Sequence, residues 1–247
     1  MMPAPDERFI TFDNLSRLGV RHFTTTRCGW QSGAVVRFTG DEPSEFMPFR
    51  HELAAAMNID VCNVLFPRQV HSATVVQVTA PPDAYDFPAT DALITDTPGL
   101  CLCVQSADCV PILLYAPQRR AVAAVHAGWR GTAAGIVTAT LAMMQRCFAV
   151  APSQVVAAIG PSIHQPAYAV AADVAAHFAP QFLKPALTAG KFLLNLQEAN
   201  RCQLISEGVV ANNIEIMNLC SFDNPYLLYS ARRESINTGR MATGIML

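Results

Sequence analysis

Two histidines and a cysteine stand at the ends of apolar, strand-like runs: His71 in RQVHSATVV, Cys109 in SADCVPILL and His126 in AVHAGWRG. A strand carries its last side chain to the rim of a sheet, where sites on layered folds gather. Two imidazoles and one thiolate make a three-ligand zinc set that leaves a fourth position for water. The intervals of 38 and 17 residues are far from the short pairs that mark metal sites by themselves. Taken singly, each residue reads more readily as a buried thiol or a satisfied histidine. Asp108, beside Cys109, has two readings of equal standing. It is a carboxylate that orients a ligand or moves a proton, or it caps a turn in Ser106-Ala107-Asp108.

Gly128 and Gly131, with Arg130 between them, bring backbone N–H groups and a guanidinium near a helix start. That arrangement suits an anion such as phosphate, and equally suits a tight strand-to-helix turn. Neither G-x-G-x-x-G nor G-x-x-x-x-G-K-[ST] occurs, so no dinucleotide or P-loop site is expected. Cys101 and Cys103, in GLCLCV, read as two strand thiols on one face rather than a metal clip.

The elements that must position these residues follow from periodicity. Apolar runs at 92–95, 100–105, 111–115 and 121–126 predict strands, with a turn at 116–119 that makes 111–126 an antiparallel hairpin. The Ala-rich, Leu/Met-spaced segment after GWRG predicts a helix from near Thr132. Residues 155–159 read as a further buried strand, 171–178 and 196–207 as amphipathic helices, and 226–230 as the final strand. Mixed α and β layers fit this order better than a pure βαβ series.

With half the chain apolar and only 15% charged, the sequence is that of a folded protein. A net charge of -2 without a basic run speaks against nucleic acid as a partner. No stretch approaches a membrane span and no secretory signal is visible, so the expected location is cytoplasmic and most of the eight cysteines are expected to be reduced.

QVH at 69–71, ATDALITDTPG at 89–99, SADCVPILL, AAVHAGWRGTAAG at 123–135, IGPSI at 159–163 and an RR followed by TGRMA occur in an order that resembles the YfiH/YlmD-like family. Its members are described as multicopper polyphenol oxidoreductase (laccase) domain proteins and as purine nucleoside phosphorylases. The resemblance spans roughly residues 21–247. It implies one α+β domain over 1–247, of mixed β-sheets layered with helices, YfiH-like and of the cytotoxic necrotizing factor-like fold. It places the metal ligands on His71, Cys109 and His126, with Zn2+ as the ion and Cu2+ as the alternative in the same site. It further implies phosphorolysis of adenosine, inosine and 5'-methylthioadenosine, with adenosine deamination as a side activity. The partners are then purine nucleosides and inorganic phosphate, with no protein partner evident. Asp108 and Arg130 are the catalytic candidates, and Arg27, Gln69 and Arg233 the phosphate- or substrate-binding ones.

The chain departs from the family pattern in three places. In TTRCGWQSGAVVRFTGDEP, Trp30 replaces a glycine, the downstream Asn is gone and the loop is shortened. Ser162 stands where a Cys usually follows Gly-Pro, and Ala169 where a glutamate usually follows Tyr. Two other readings remain open: a copper-dependent polyphenol oxidase, and a binding or editing protein for peptidoglycan precursors. Six histidines are too few for several copper ions at two or three imidazoles each.

Overall fold

The computed structural model describes residues 7–31, 35–82 and 86–247. The strands are β1 Phe9–Ile10, β2 Arg21–Thr25, β3 Val64–Pro67, β4 Val75–Gln77, β5 Asp86–Phe87 and β6 Ala92–Thr95. They continue as β7 Cys101–Ser106, β8 Val110–Ala116, β9 Ala121–Ala127, β10 Val156–Ile159, β11 Ala169–Ala171, β12 Leu183–Pro185, β13 Lys191–Leu194, β14 Ile214–Ile216 and β15 Met241–Met246. The α-helices are α1 Asp13–Ser16, α2 Pro43–Met57, α3 Trp129–Ala133, α4 Ile136–Phe148, α5 Ala172–Ala175, α6 Leu196–Ser206 and α7 Ala231–Glu234.

Two six-stranded sheets carry the fold, in the orders β1-β2-β15-β7-β3-β5 and β14-β10-β8-β9-β6-β4; β11-β13-β12 form a third, smaller sheet. Leu102 and Val104 of the first sheet share one buried cluster with Leu93, Leu113 and Ala124 of the second. The two sheets therefore face each other. Successive strand side chains alternate, so Cys101 and Cys103 face the other way, into a cluster with Phe49 and Leu53 of α2. Their thiols are free and lie 3.6 Å apart, as expected of two strand cysteines on one face. On the outer side of the second sheet, Ile112, Leu114 and Val125 pack against Leu141 and Met144 of α4 and Leu204 of α6. The order is helix, sheet, sheet, helices. Strands covered on both faces need apolar side chains at every position, which is why these runs read as continuous rather than alternating.

The predicted hairpin is β8 and β9, paired from Val110↔Ala127 to Ala116↔Ala121. The helix expected near Thr132 is two helices: a short α3, then Gly135 at φ 78°, then α4. Only one turn of the helix predicted at 171–178 forms, and the chain goes extended at Ala179, before Pro180. The strand expected at 226–230 is a correction: that segment is turns and extended chain leading to the cap of α7. The last strand is instead β15, six buried residues between β2 and β7. Its Gly244 hides it from strand patterning, because a Cβ there would sit 2.6 Å from the Phe23 ring and 2.8 Å from the Cys103 sulfur. Helix α2 also escaped the sequence reading; Pro43 opens it, which suits a first helical turn, but Pro48 lies inside it and masks the helical pattern.

Candidate metal centre and cavity

The hairpin register sets two members of the cluster side by side. Pairing of Val110 with Ala127 and of Pro111 with His126 puts Cys109, one residue before β8, at the same end as His126, the penultimate residue of β9. His71 comes from the loop after β3, in the left-handed region at φ 64°. That conformation costs a non-glycine residue free energy and persists where surrounding contacts impose it. Here they come from Asp91, immediately before β6. Its carboxylate accepts from the backbone N–H groups of Val70 (3.2 Å), His71 (2.9 Å) and Ser72 (2.7 Å) and from the Ser72 hydroxyl (2.7 Å). The same carboxylate meets His126 Nδ1 at 2.8 Å. One buried group thus shapes the His71 loop and orients the His126 ring, leaving Nε2 of His126 for the cluster.

His71 Nε2 lies 3.7 Å from the Cys109 sulfur, the two imidazole rings meet edge to face with centroids 4.8 Å apart, and all three donor atoms fall within 4.8 Å of one another. Burial opposes charge on Asp91, Cys109 and His126, yet the attraction of their neighbours wins. Asp91 is held down to about 2 by its hydrogen bonds from His126 and Ser72. His126 is raised to about 9 by the Cys109 and Asp91 charges, and Cys109 is lowered to about 6 by the two histidines. A proton on His126 is held between a thiolate and a carboxylate, and a bound metal cation would displace it. Gly128 completes the fit. A Cβ there would lie 2.5 Å from His71 Cδ2 and 3.1 Å from the Cys109 sulfur, so the turn into α3 must be glycine for the cluster to close. Gly128 thus serves the tight strand-to-helix turn, which leads into the five-residue α3.

The cluster opens onto a cavity of about 440 Å³ that is also lined by Gln69, Ser106, Asp108, Arg232 and Arg240. Ser106 is 3% exposed and its hydroxyl has no hydrogen-bond partner. Asp108, at φ 97°, accepts from the Ser221 hydroxyl (2.6 Å) and from the Arg232 backbone N–H (2.7 Å). It ties the turn before Cys109 to the start of α7, and the carboxylate that orients a cluster imidazole is Asp91 rather than Asp108. Gln69 braces β7: its amide donates to the Gln105 carbonyl and accepts from the Gln105 N–H, both at 2.8 Å.

The three arginines singled out in the sequence, Arg27, Arg130 and Arg233, do not line this cavity. Arg233 donates to the carbonyls of Ser221, Phe222 and Leu228. Arg27 pairs with Glu234 at 2.8 Å and lies over the Tyr229 ring in a separate cavity. Arg130 stacks on Trp129 at 4.5 Å and is not among the residues lining the cluster's cavity. The guanidiniums at the cavity belong to Arg232, which donates to the Ala169 carbonyl, and Arg240. Asp91, Arg232 and Arg240 all lie inside motifs visible in the sequence, ATDALIT, RR and TGR, but only their neighbours could be told apart from them by position in space. In the shortened loop, Trp30 is partly buried and packs against the core, edge-on to Phe38 at 5.5 Å and Phe49 at 6.1 Å; residues 32–34 of that loop lie outside the described segments.

Fold and cavity together define an α+β protein of mixed sheets with a two-histidine, one-cysteine group that could hold a metal ion at a sheet rim. Residues 20–247 match the family model described as multi-copper polyphenol oxidoreductase laccase, and the chain belongs to that family. It is 34% identical to a purine nucleoside phosphorylase of Bacteroides thetaiotaomicron, over 98% of this chain and 97% of that one. It is 36% identical to a protein named adenosine deaminase from an unknown prokaryotic organism, over 92% of this chain and 94% of the other. The crystal structure of the YfiH protein of Bacillus licheniformis superposes with a TM-score of 0.88 at 29% identity, covering 100% of this chain and 98% of that one. Among the described residues no helix is long and apolar enough to cross a membrane.

Proposed function

We propose that this chain is a zinc-dependent purine nucleoside phosphorylase acting on adenosine, inosine and 5'-methylthioadenosine, with adenosine deamination as a side activity. The observation that carries the reading is the opening of the His71–Cys109–His126 cluster onto a cavity that also presents two guanidiniums. The names of the relatives, phosphorylase and adenosine deaminase, support the same substrate class. His71, Cys109 and His126 would hold the ion, and two imidazoles with a thiolate suit zinc with an open position. When bound, zinc supplies Lewis acidity beside the substrate.

In phosphorolysis an oxygen of phosphate bonds to C1' of the sugar while the C1'–N9 bond breaks. The electron pair leaves on the purine, which takes a proton from the phosphate. The chain must place an anion against the sugar and stabilise cationic character there. Arg232 and Arg240 hold positive charge at the cavity, and the Ser106 hydroxyl is a free partner for a substrate hydroxyl. Asp108 acts as a positioning group by anchoring the Arg232 backbone. The free thiols suit a cytoplasmic location.

A single copper at the same ligands is the second reading, favoured by the family description. A multi-copper centre is not, since His71, Cys109 and His126 are the one three-ligand group among the described residues. The test is metal analysis with an assay of inosine and adenosine, with and without phosphate. About one zinc per chain with phosphate-dependent ribose 1-phosphate formation is the expected result. Base release independent of phosphate, or phenol oxidation with copper alone, would overturn it.

A further inference from the structure

A second, smaller chamber of about 150 Å³ adjoins the main cavity, sharing Gln105, Ile236 and Arg240 with it. Its opposite wall carries Arg37 and Thr39. Two guanidiniums thus face one small space. Arg240 donates only to the carbonyls of Ile236, Thr238 and Gly239, and makes no ion pair among the described residues. Arg37 has one carboxylate, Glu45, at 3.4 Å across exposed side chains, a pair of little strength in water. Burial holds Arg240 below the usual guanidinium value, and the Arg37 charge acts in the same direction. Two like charges left side by side favour an anion between them.

The neutral groups are arranged as donors too. Gln105 donates to the Thr39 hydroxyl, whose own proton is then free to donate into the chamber. The Thr238 hydroxyl is turned to Glu234, whose charge is in turn matched by Arg27 and Arg233. The nearby carboxylate is therefore already neutralised and does not repel an incoming anion. The volume suits a tetrahedral oxyanion rather than a nucleoside, for which the adjoining cavity of about 440 Å³ has room.

We propose that the chamber between Arg37 and Arg240 is the subsite for inorganic phosphate, with Thr39 as a further donor and the nucleoside in the adjoining cavity. Arg240 stands on the shared wall and is the group that can touch both. The assignment rests on the phosphorylase reading for its biological use, but the binding of phosphate does not. The geometry of two fork-shaped donors fits a phosphate group in general, so a nucleoside 5'-phosphate is the competing source.

The experiment titrates inorganic phosphate into the zinc-loaded wild-type protein and into Arg37→Leu, Arg37→Lys and Thr39→Val, at constant ionic strength in chloride, by calorimetry. Adenosine 5'-monophosphate and inosine are titrated in parallel, and steady-state kinetics are measured with inosine. Arg37 is on the surface, so its variants are expected to fold. The expected result is phosphate affinity about 10- to 100-fold weaker in Arg37→Leu, the size of one lost charge-assisted contact, with partial recovery in Arg37→Lys. Inosine affinity should be unchanged, and the KM for phosphate should rise while that for inosine does not. Wild-type phosphate affinity in Arg37→Leu, or no phosphate binding by the wild type, overturns the proposal. Arg37-dependent binding of the monophosphate without binding of free phosphate assigns the chamber to a 5'-phosphate and also overturns it. Phosphate binding that depends on Arg37, without any phosphorolysis, leaves the subsite standing and refutes the phosphorylase reading instead.

Discussion

Replacing Gly128 by alanine adds one methyl group behind the His71–Cys109–His126 cluster. The backbone there is extended, at φ -71° and ψ 171°, which alanine adopts without strain. The whole effect is then contact. The new Cβ would lie 2.5 Å from His71 Cδ2, 3.1 Å from the Cys109 sulfur and 3.4 Å from His71 Nε2. Carbon atoms rest at about 3.5–4.0 Å, so the His71 ring must withdraw by about 1 Å. Metal–ligand distances tolerate shifts of only about 0.2 Å, and losing good placement of one ligand corresponds to the upper end of the 10- to 100-fold range measured for perturbed zinc surroundings. Gly128→Ala is therefore expected to keep its fold by circular dichroism while its zinc affinity falls about 100-fold, or about 2.8 kcal/mol. Competition against a chromophoric chelator under reducing conditions measures this. Wild-type zinc affinity in a folded Gly128→Ala protein would refute the close approach of α3 to His71 as the reason for the glycine.

Alanine at His71, Cys109 or His126 is expected to remove bound metal and phosphorolysis together, measured by metal analysis and ribose 1-phosphate formation; metal retained in all three variants would remove the site. Asp91→Asn leaves the N–H groups of Val70, His71 and Ser72 facing a neutral amide, and should lower stability to urea by about 3–5 kcal/mol, the cost of breaking a buried charged network. An Asp91→Asn protein as stable as the wild type would mean that the loop holds itself. Arg232→Ala and Arg233→Ala separate the two halves of one motif. The first is expected to lower kcat/KM at near-constant Tm, and the second to lower Tm, because three carbonyls lose their donor. Equal effects in both assays would contradict the assignment.

The layers were legible because their strands are buried on both faces: 92–95, 100–105, 111–115 and 121–126 announce themselves as unbroken apolar runs. The elements that escaped carry a residue that contradicts its local pattern, Gly244 in β15 and Pro48 in α2, and in each the tertiary contacts override the propensity.

The residue types of the cluster are set by the sequence alone: two imidazoles and a thiol define what an ion would meet, whatever the fold does next. What the tertiary structure decided is proximity. Register puts Cys109 beside His126, and a single buried carboxylate from β6's approach draws in His71 from a loop 20 residues away. It also divided the arginines, sending Arg27 and Arg233 to carbonyls and Glu234 while leaving Arg232 and Arg240 at the cavity. Sequence neighbours such as Arg232 and Arg233 have the same chemistry and differ only in direction, and direction is a property of packing, where each guanidinium goes to the partners that its side of the helix turn can reach.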